Sequence, residues 1–197
     1  YTYDKNGNLL TETAPDGGVK AYTYDKDGHV LSVTDAAGHI TSYAYDKNGL
    51  LSETTDPNGN KTKIRYDANN RIATVTNALG EKTIYRYTSR GDLAKVTFAD
   101  GTSVSYTYDA LGNCVSMTDP EGNRTKYEYN GLGLLTRVIL PDGTTQDIAY
   151  TPAGQVSSQT DALGNTVSYT YDSLGNRLTA TDAEGHTTAM EYDAEGQ

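Results

Sequence analysis

The chain has 197 residues, a formal net charge of −10 at pH 7 and one cysteine, Cys114. This acidity argues against nucleic acid as a partner, because nucleic-acid-binding proteins cluster Lys and Arg on one face. A single cysteine excludes an internal disulfide framework and any metal site built from several cysteines. No apolar run reaches the length of a membrane span, so we expect no membrane insertion by this segment.

A repeat of 21 residues runs through the whole sequence. Ten tyrosines, here called the phase tyrosines, recur at this interval without insertion or deletion: Tyr3, Tyr24, Tyr45, Tyr66, Tyr87, Tyr108, Tyr129, Tyr150, Tyr171 and Tyr192. A fixed period in this range is typical of repeat architectures, in which one unit stacks on the next. The sequence therefore predicts a single continuous array over residues 1–197, and the lack of capping segments suggests an excerpt of a longer array.

Each repeat opens with a turn directly after its phase tyrosine. In the first copy Asp4 stands at the first corner and Gly7 at the fourth position, which predicts a type I turn closed by a left-handed residue. Glycines hold that position in eight copies: Gly7, Gly28, Gly49, Gly91, Gly112, Gly133, Gly154 and Gly175. Asn70 replaces glycine in one copy, and asparagine is the next residue to tolerate this conformation.

A short strand and a second turn follow in every repeat. The strand carries an apolar residue six positions after the phase tyrosine, as at Leu9, and a threonine four positions later, as at Thr13. The second turn ends at Gly17 and its equivalents, with an aspartate either three residues before the glycine or directly before it. Both arrangements are turn chemistries.

The second strand of each repeat alternates polar and apolar residues, as in Val104–Tyr108. All 17 tyrosines occupy either the phase position or the position two residues before it, so they share one face of the sheet. The sequence thus predicts an all-β fold of 21-residue two-stranded hairpin units, with about eighteen strands in a long antiparallel ribbon. An open sheet of this length is expected to curve or spiral.

These residues resemble the RHS, or YD-repeat, family over the whole chain. The resemblance rests on the Tyr-Asp-x-x-Gly openings, the Gly175–Leu178 stretch, the Thr-Asp-x-x-Gly second turns and closings such as Tyr43–Asp46. Departures are local, with Thr88, Asn130 and Thr151 in place of the usual aspartate. The resemblance implies a β-ribbon that spirals into a hollow shell, which in bacterial toxin systems encloses a toxic segment and in teneurins forms part of an adhesion receptor.

No residue is predicted to be catalytic, to bind a cofactor or to bind a metal. The aspartates recur with the repeat, whereas a catalytic pair is a unique feature. Asp25–Gly28 is similar to part of a calcium loop but lacks the further oxygen ligands. His29, His39 and His186 each follow a turn glycine without clustered partners, and Cys114 occupies a position that other repeats give to Leu or Val.

Two functions remain open from the sequence. The first is a non-catalytic wall of a secreted or cell-surface bacterial RHS protein, in contact with neighbouring repeats and an enclosed toxin or other cargo. The alternative is an extended extracellular filament or adhesive stalk built from copies of the same repeat, which could also bind glycans through its tyrosines. We expect the tyrosines to serve mainly as structural packing, because cross-strand aromatic contacts stabilise a sheet.

Overall fold

The computed structural model describes residues 1–192. These residues contain β-strands and turns and no helix, so the all-β prediction is confirmed. The chain divides into two compact units, Tyr1–Tyr87 with Val96–Thr102, and Thr88–Lys95 with the chain from Ser103 onward. Within residues 1–192 there is no helix that is long and apolar enough to cross a membrane.

Nineteen strands lie within the described residues, close to the predicted eighteen. They are β1 (Thr2–Tyr3), β2 (Leu9–Thr13), β3 (Val19–Tyr24), β4 (Val30–Thr34), β5 (Ile40–Tyr45), β6 (Leu51–Thr55), β7 (Lys61–Tyr66), β8 (Ile72–Thr76), β9 (Lys82–Tyr87), β10 (Leu93–Thr97), β11 (Ser103–Tyr108), β12 (Cys114–Thr118), β13 (Arg124–Tyr129), β14 (Leu135–Ile139), β15 (Thr145–Tyr150), β16 (Val156–Thr160), β17 (Thr166–Tyr171), β18 (Arg177–Thr181) and β19 (Thr187–Ala189). The first unit contains β1 to β9, the second contains β11 to β19, and residues of β10 fall in both.

Strand pairing alternates between two patterns inside each unit. Across a first turn the strands form a longer antiparallel ladder with a bulge, as in β11 and β12, where Tyr108 pairs with Cys114 but Thr107 pairs with Ser116. Across a second turn the ladder has three regular pairs, as in β12 and β13, where it ends at Ser116 and Lys126. The bulge adds an unpaired residue to one strand and so increases the local twist.

Each unit is a single layer of sheet. Within β1 to β9, and within β11 to β19, each strand contacts only the strands next to it in the sequence. No hydrophobic side chain among residues 1–192 is buried, and the one buried polar residue among them is Ser116, which is 2% exposed. The stability of the described sheet therefore comes from its ladders, turns and half-buried side-chain rows rather than from a core between two layers.

The two faces of the sheet have different chemistry. Along β13 and β17 the residues alternate between half-buried and exposed, with the tyrosines half-buried, as the period-two pattern predicts. We call this side the tyrosine face. The opposite side carries hydrogen-bonded Ser and Thr pairs, such as Thr23 with Ser32 at 2.6 Å and Thr107 with Ser116 at 2.7 Å. We call it the hydroxyl face.

Candidate functional site

The turns repeat one backbone geometry throughout the described residues. In the first turn the Asp4 amide donates to the Asn8 carbonyl at 2.9 Å and the Gly7 amide donates to the Asp4 carbonyl at 3.1 Å. The second turn around Ala14 has the same pair of bonds, so the two aspartate arrangements seen in the sequence form one turn type. Gly7 has φ of 87° and Asn70 has φ of 61°, which confirms the left-handed conformation expected at Asn70.

The structure places all eight first-turn glycines in the left-handed region. Their φ values lie between 76° at Gly133 and 104° at Gly91. In this region an L side chain crowds the following carbonyl, and glycine avoids that cost. The glycines therefore set where each hairpin reverses.

The turn aspartate organises the loop through its side chain. Asp109 Oδ1 accepts hydrogen bonds from the amides of Leu111 at 2.8 Å and Asn113 at 2.9 Å, and Oδ2 accepts one from Asn113 Nδ2 at 2.9 Å. The side-chain bond from Asn113 is the main cause that holds the pKa of Asp109 below its ordinary value. Hydrogen bonds in the turns lower the pKa of twelve aspartates in this way: Asp4, Asp25, Asp35, Asp56, Asp67, Asp100, Asp109, Asp119, Asp142, Asp161, Asp172 and Asp182.

The residue directly after the left-handed turn residue, which is glycine or, at position 70, asparagine, is a structural partner that the sequence analysis did not identify. At this position Asn113 Nδ2, Arg71 Nε and His29 Nδ1 each bond the aspartate four residues earlier, at 2.8 to 2.9 Å. In the turn that begins at Asn77 the bond reverses, and Asn77 Nδ2 donates to Glu81 Oε2 at 2.7 Å. The signal was a pairing of donor and acceptor residue types four positions apart, which most first turns have and which Leu50 and Leu134 lack.

The Thr88 turn shows the same reversal. Thr88 replaces the usual aspartate, and its Oγ1 donates to Asp92 Oδ2 at 3.1 Å. Thr88 Oγ1 also accepts the amides of Arg90 and Asp92, at 3.2 and 3.1 Å, so it takes over the backbone role of the carboxylate. Thr88 thus keeps the turn and reverses the direction of one side-chain bond, whereas Asn130, opposite Leu134, keeps only the bonds to backbone amides.

The phase tyrosines join each repeat to the one before it. Tyr129 donates its hydroxyl to the Cys114 carbonyl at 2.9 Å, and that carbonyl lies two residues beyond the end of the ladder between β12 and β13. Nine of the ten phase tyrosines make this bond to the carbonyl fifteen residues earlier: Tyr24, Tyr45, Tyr66, Tyr87, Tyr108, Tyr129, Tyr150, Tyr171 and Tyr192. The hydroxyl therefore satisfies a carbonyl where the backbone ladder has already ended.

Two side chains at this position also pack on the phase tyrosine of the next repeat. His29 stacks on Tyr45 with ring centroids 4.7 Å apart, and the Arg71 guanidinium lies 4.5 Å from the centre of the Tyr87 ring. Stacked and cation–π contacts of this kind add to the cohesion of neighbouring strands. The side chain at this one position thus hydrogen-bonds to the aspartate of its own turn and also packs on the next hairpin.

Two groups of side chains bring possible metal ligands together. Asp25, Asp27 and His29 place one ligand atom each within 4.8 Å of one another, as do Asp182, Glu184 and His186. In the first group His29 Nδ1 is bonded to Asp25 Oδ2 at 2.9 Å, so those two atoms already serve the turn. Three ligands are also fewer than the six or more oxygens that Ca²⁺ takes.

Cys114 lies in a half-buried position at the start of β12. Burial raises the pKa of its thiol above the ordinary value. A nucleophilic cysteine needs the opposite shift, towards the thiolate. The environment of Cys114 fits the small hydrophobic role that its place in the repeat predicts.

Solved structures of Tc toxin proteins have a similar fold. The chain aligns over 97% of its length with TcdB2-TccC3-Cdc42 at a TM-score of 0.73 and 16% identity, covering 12% of that chain. It aligns over 95% with TcdB2-TccC3 lacking the hypervariable C-terminal region, at 0.75 and 17%, covering 11%. It aligns over 92% with a Photorhabdus luminescens Tc holotoxin pore, at 0.59 and 17%, covering 13%.

The sequence comparisons identify the repeat itself. No curated protein matches the chain significantly in sequence. The profile of the RHS Repeat family matches six overlapping or adjacent stretches, residues 3–28, 24–61, 66–102, 87–124, 108–145 and 150–187. These matches cover most of the chain with the same turns and tyrosines described above. The chain belongs to the RHS repeat family.

Proposed function

We propose that this RHS repeat segment forms part of a shell wall that encloses a polypeptide cargo. The observation that carries the proposal is the single-layer construction of each unit, in which strands contact only their sequence neighbours and no hydrophobic side chain among residues 1–192 is buried. Because a sheet of this kind has no second layer of its own, both of its faces stay uncovered, and it can separate an inner space from the outside as a wall does. The proposal treats residues 1–197 as one continuous array.

The segment acts by exclusion and carries out no bond chemistry in this proposal. A general acid needs a carboxyl group with a raised pKa, whereas the turn aspartates have lowered pKa values and accept hydrogen bonds from their own loops. The hydroxyls of nine phase tyrosines are also engaged by backbone carbonyls, as at Tyr108 and Tyr150. Enclosure is therefore better supported than glycan binding through these tyrosine hydroxyls.

The partners that fit this role are neighbouring repeats and a cargo chain, in a secreted bacterial toxin complex. The fold is similar to those of TcdB2-TccC3-Cdc42 and of a Tc holotoxin pore that contains TccC3. The chain covers 11% to 13% of those proteins, so a wall built from this repeat would extend well beyond residues 1–197. We therefore place the segment in a larger shell.

Cryo-electron microscopy of the full-length protein that contains this array tests the proposal. The expected result is a closed shell with internal density, together with protease resistance of an internal segment that becomes sensitive after the shell is opened by denaturant. A matched sample without the internal segment should form the same shell and lack the density. A long fibre with a regular rise, or a solid core, would contradict the proposal.

A further inference from the structure

A cluster of positive charge lies on the hydroxyl face of the first unit. Lys63, Arg65 and Lys82 line a depression of about 350 Å³ together with Thr74, Thr76 and Ile84. The three cationic residues are exposed. We call these six residues the basic patch.

Strand register explains how residues distant in sequence form the basic patch. Lys63 pairs with Thr76, which pairs with Lys82 on the next strand, and Arg65 pairs with Thr74. Side chains at alternate positions along β7 stand about 6.8 Å apart, and β7 and β9 are about 9.6 Å apart across the sheet. The cations therefore surround two threonine hydroxyls in a small area.

The charge of the basic patch contrasts with the rest of the chain. The chain has a net charge of −10, yet within residues 1–192 no carboxylate forms an ion pair with Arg65 or Lys82. Lys63 lies 3.7 Å from Glu53, and that carboxylate also binds Lys61 at 2.6 Å. Lys63 and Arg65 lie on β7 and Lys82 lies on β9, with only the uncharged Thr74 and Thr76 of β8 between them. Arg65 and Lys82 can therefore bind a negatively charged ligand without first breaking an ion pair.

We propose that the basic patch binds an extended acidic peptide segment of a partner chain. Alternate side chains of an extended peptide repeat about every 6.8 Å, which matches the spacing of Lys63 and Arg65 along β7. Thr74 and Thr76 supply hydroxyl donors, and Ile84 offers an apolar floor for the methylene groups of glutamate. This inference goes beyond the proposed shell and does not depend on closure of the shell.

The lining of the basic patch favours a peptide over other polyanions. Binding of single-stranded nucleic acid relies on aromatic rings that stack on the bases, and sugars also pack on aromatic faces. No aromatic residue lines the patch, because the tyrosines of β7 and β9 lie on the opposite face. A peptide needs only charge, hydroxyl donors and a strand-like spacing, all of which the patch provides.

Fluorescence anisotropy of a labelled peptide with glutamates at alternate positions, separated by serines, tests this inference on the full chain. We expect the double variant Arg65→Gln/Lys82→Gln to bind roughly tenfold more weakly, since two charge-assisted contacts are lost. The matched control Lys47→Gln/Lys126→Gln removes two exposed, unpaired cations elsewhere and should bind like the unaltered chain. Circular dichroism should show the same fold for all three proteins.

Three outcomes would overturn the inference. The first is equal binding of a peptide in which every glutamate is replaced by glutamine. The second is an equal loss of affinity in the control pair, which would assign binding to net charge alone. The third is patch-dependent binding of single-stranded DNA or a sulfated glycan without binding of the peptide. Weaker peptide binding at about 500 mM than at about 50 mM salt would support the contact, because exposed charges are screened.

Discussion

Asn77 and Glu81 form their side-chain hydrogen bond in the direction opposite to that of the aspartate turns. Asn77 Nδ2 donates to Glu81 Oε2 at 2.7 Å, whereas Asn60 Nδ2 donates to Asp56 Oδ2 at 2.8 Å. In both turns the oxygen of the first residue still accepts two backbone amides. Where both positions are polar, the turn therefore pairs one donor with one acceptor, and either position can supply either one. Leu50 and Leu134 hold the second position in two other turns, so the turn also forms without this side-chain bond.

We expect Asn77→Asp to destabilise the chain, because it places two carboxylates opposite each other in one turn. The midpoint of thermal unfolding should fall by roughly 2–4 °C. This is the shift that a loss of about 1 kcal/mol in the free energy of unfolding causes in a chain of roughly 200 residues. Adding Glu81→Asn to the same chain restores a donor opposite the new acceptor and should recover most of the loss. A double variant no more stable than Asn77→Asp alone would contradict the pairing.

The phase tyrosine hydroxyl gives a second prediction. Tyr129→Phe leaves the Cys114 carbonyl without its 2.9 Å donor at a place where the backbone ladder has ended. The free energy of unfolding should fall by about 1 kcal/mol, which is typical of one lost hydrogen bond. Urea denaturation followed by circular dichroism measures this change.

Tyr127 provides the matched control for that measurement. It lies on the same strand and the same face, two residues before Tyr129, and its hydroxyl makes no hydrogen bond with the described residues. Tyr127→Phe should therefore leave the free energy of unfolding nearly unchanged. Equal losses for the two substitutions would show that ring packing, and not the bond to Cys114, accounts for the effect.

The parts of the fold that the sequence predicts are those set by local chemistry. Asp109 and Gly112 define a turn within four residues, and the alternation in Val104–Tyr108 defines a strand face. The bond from Tyr129 to Cys114 was not predicted, because it depends on a ladder that ends between two hairpins. The basic patch was likewise hidden, since Arg65 and Lys82 come together only through strand register.

A third prediction concerns the left-handed turn glycines. Gly133 has φ of 76°, and a Cβ added there would meet only Asn113 Oδ1 at 3.6 Å, an ordinary contact. Gly133→Ala should therefore destabilise the chain through backbone strain alone, by about 1–2 kcal/mol. Gly131 lies in the same turn without a left-handed φ and with open space around it, so Gly131→Ala is the matched control.

The Gly131→Ala control should be neutral or slightly stabilising, because alanine restricts the unfolded chain. Urea denaturation of both variants side by side measures the difference in the free energy of unfolding. A loss at Gly131 as large as that at Gly133 would mean that the turn is sensitive to any added side chain, and that φ is not the cause.

Acid should unfold the chain through its turn aspartates. Hydrogen bonds lower the pKa of Asp172 and eleven equivalent carboxyls in the folded chain below the ordinary value of 3.8. As the pH falls, the unfolded chain therefore binds more protons than the folded chain. The contribution of these aspartates to the free energy of unfolding is present above pH 3.8, the unfolded pKa, and is lost as the pH drops through their lower pKa values in the folded chain. Circular dichroism should show a loss of strand structure that begins as the pH falls below about 4, where the carboxyls of the unfolded chain start to bind protons. Asp172→Asn removes one titrating group and should make this dependence shallower, whereas an unchanged dependence would assign acid unfolding to other carboxyls.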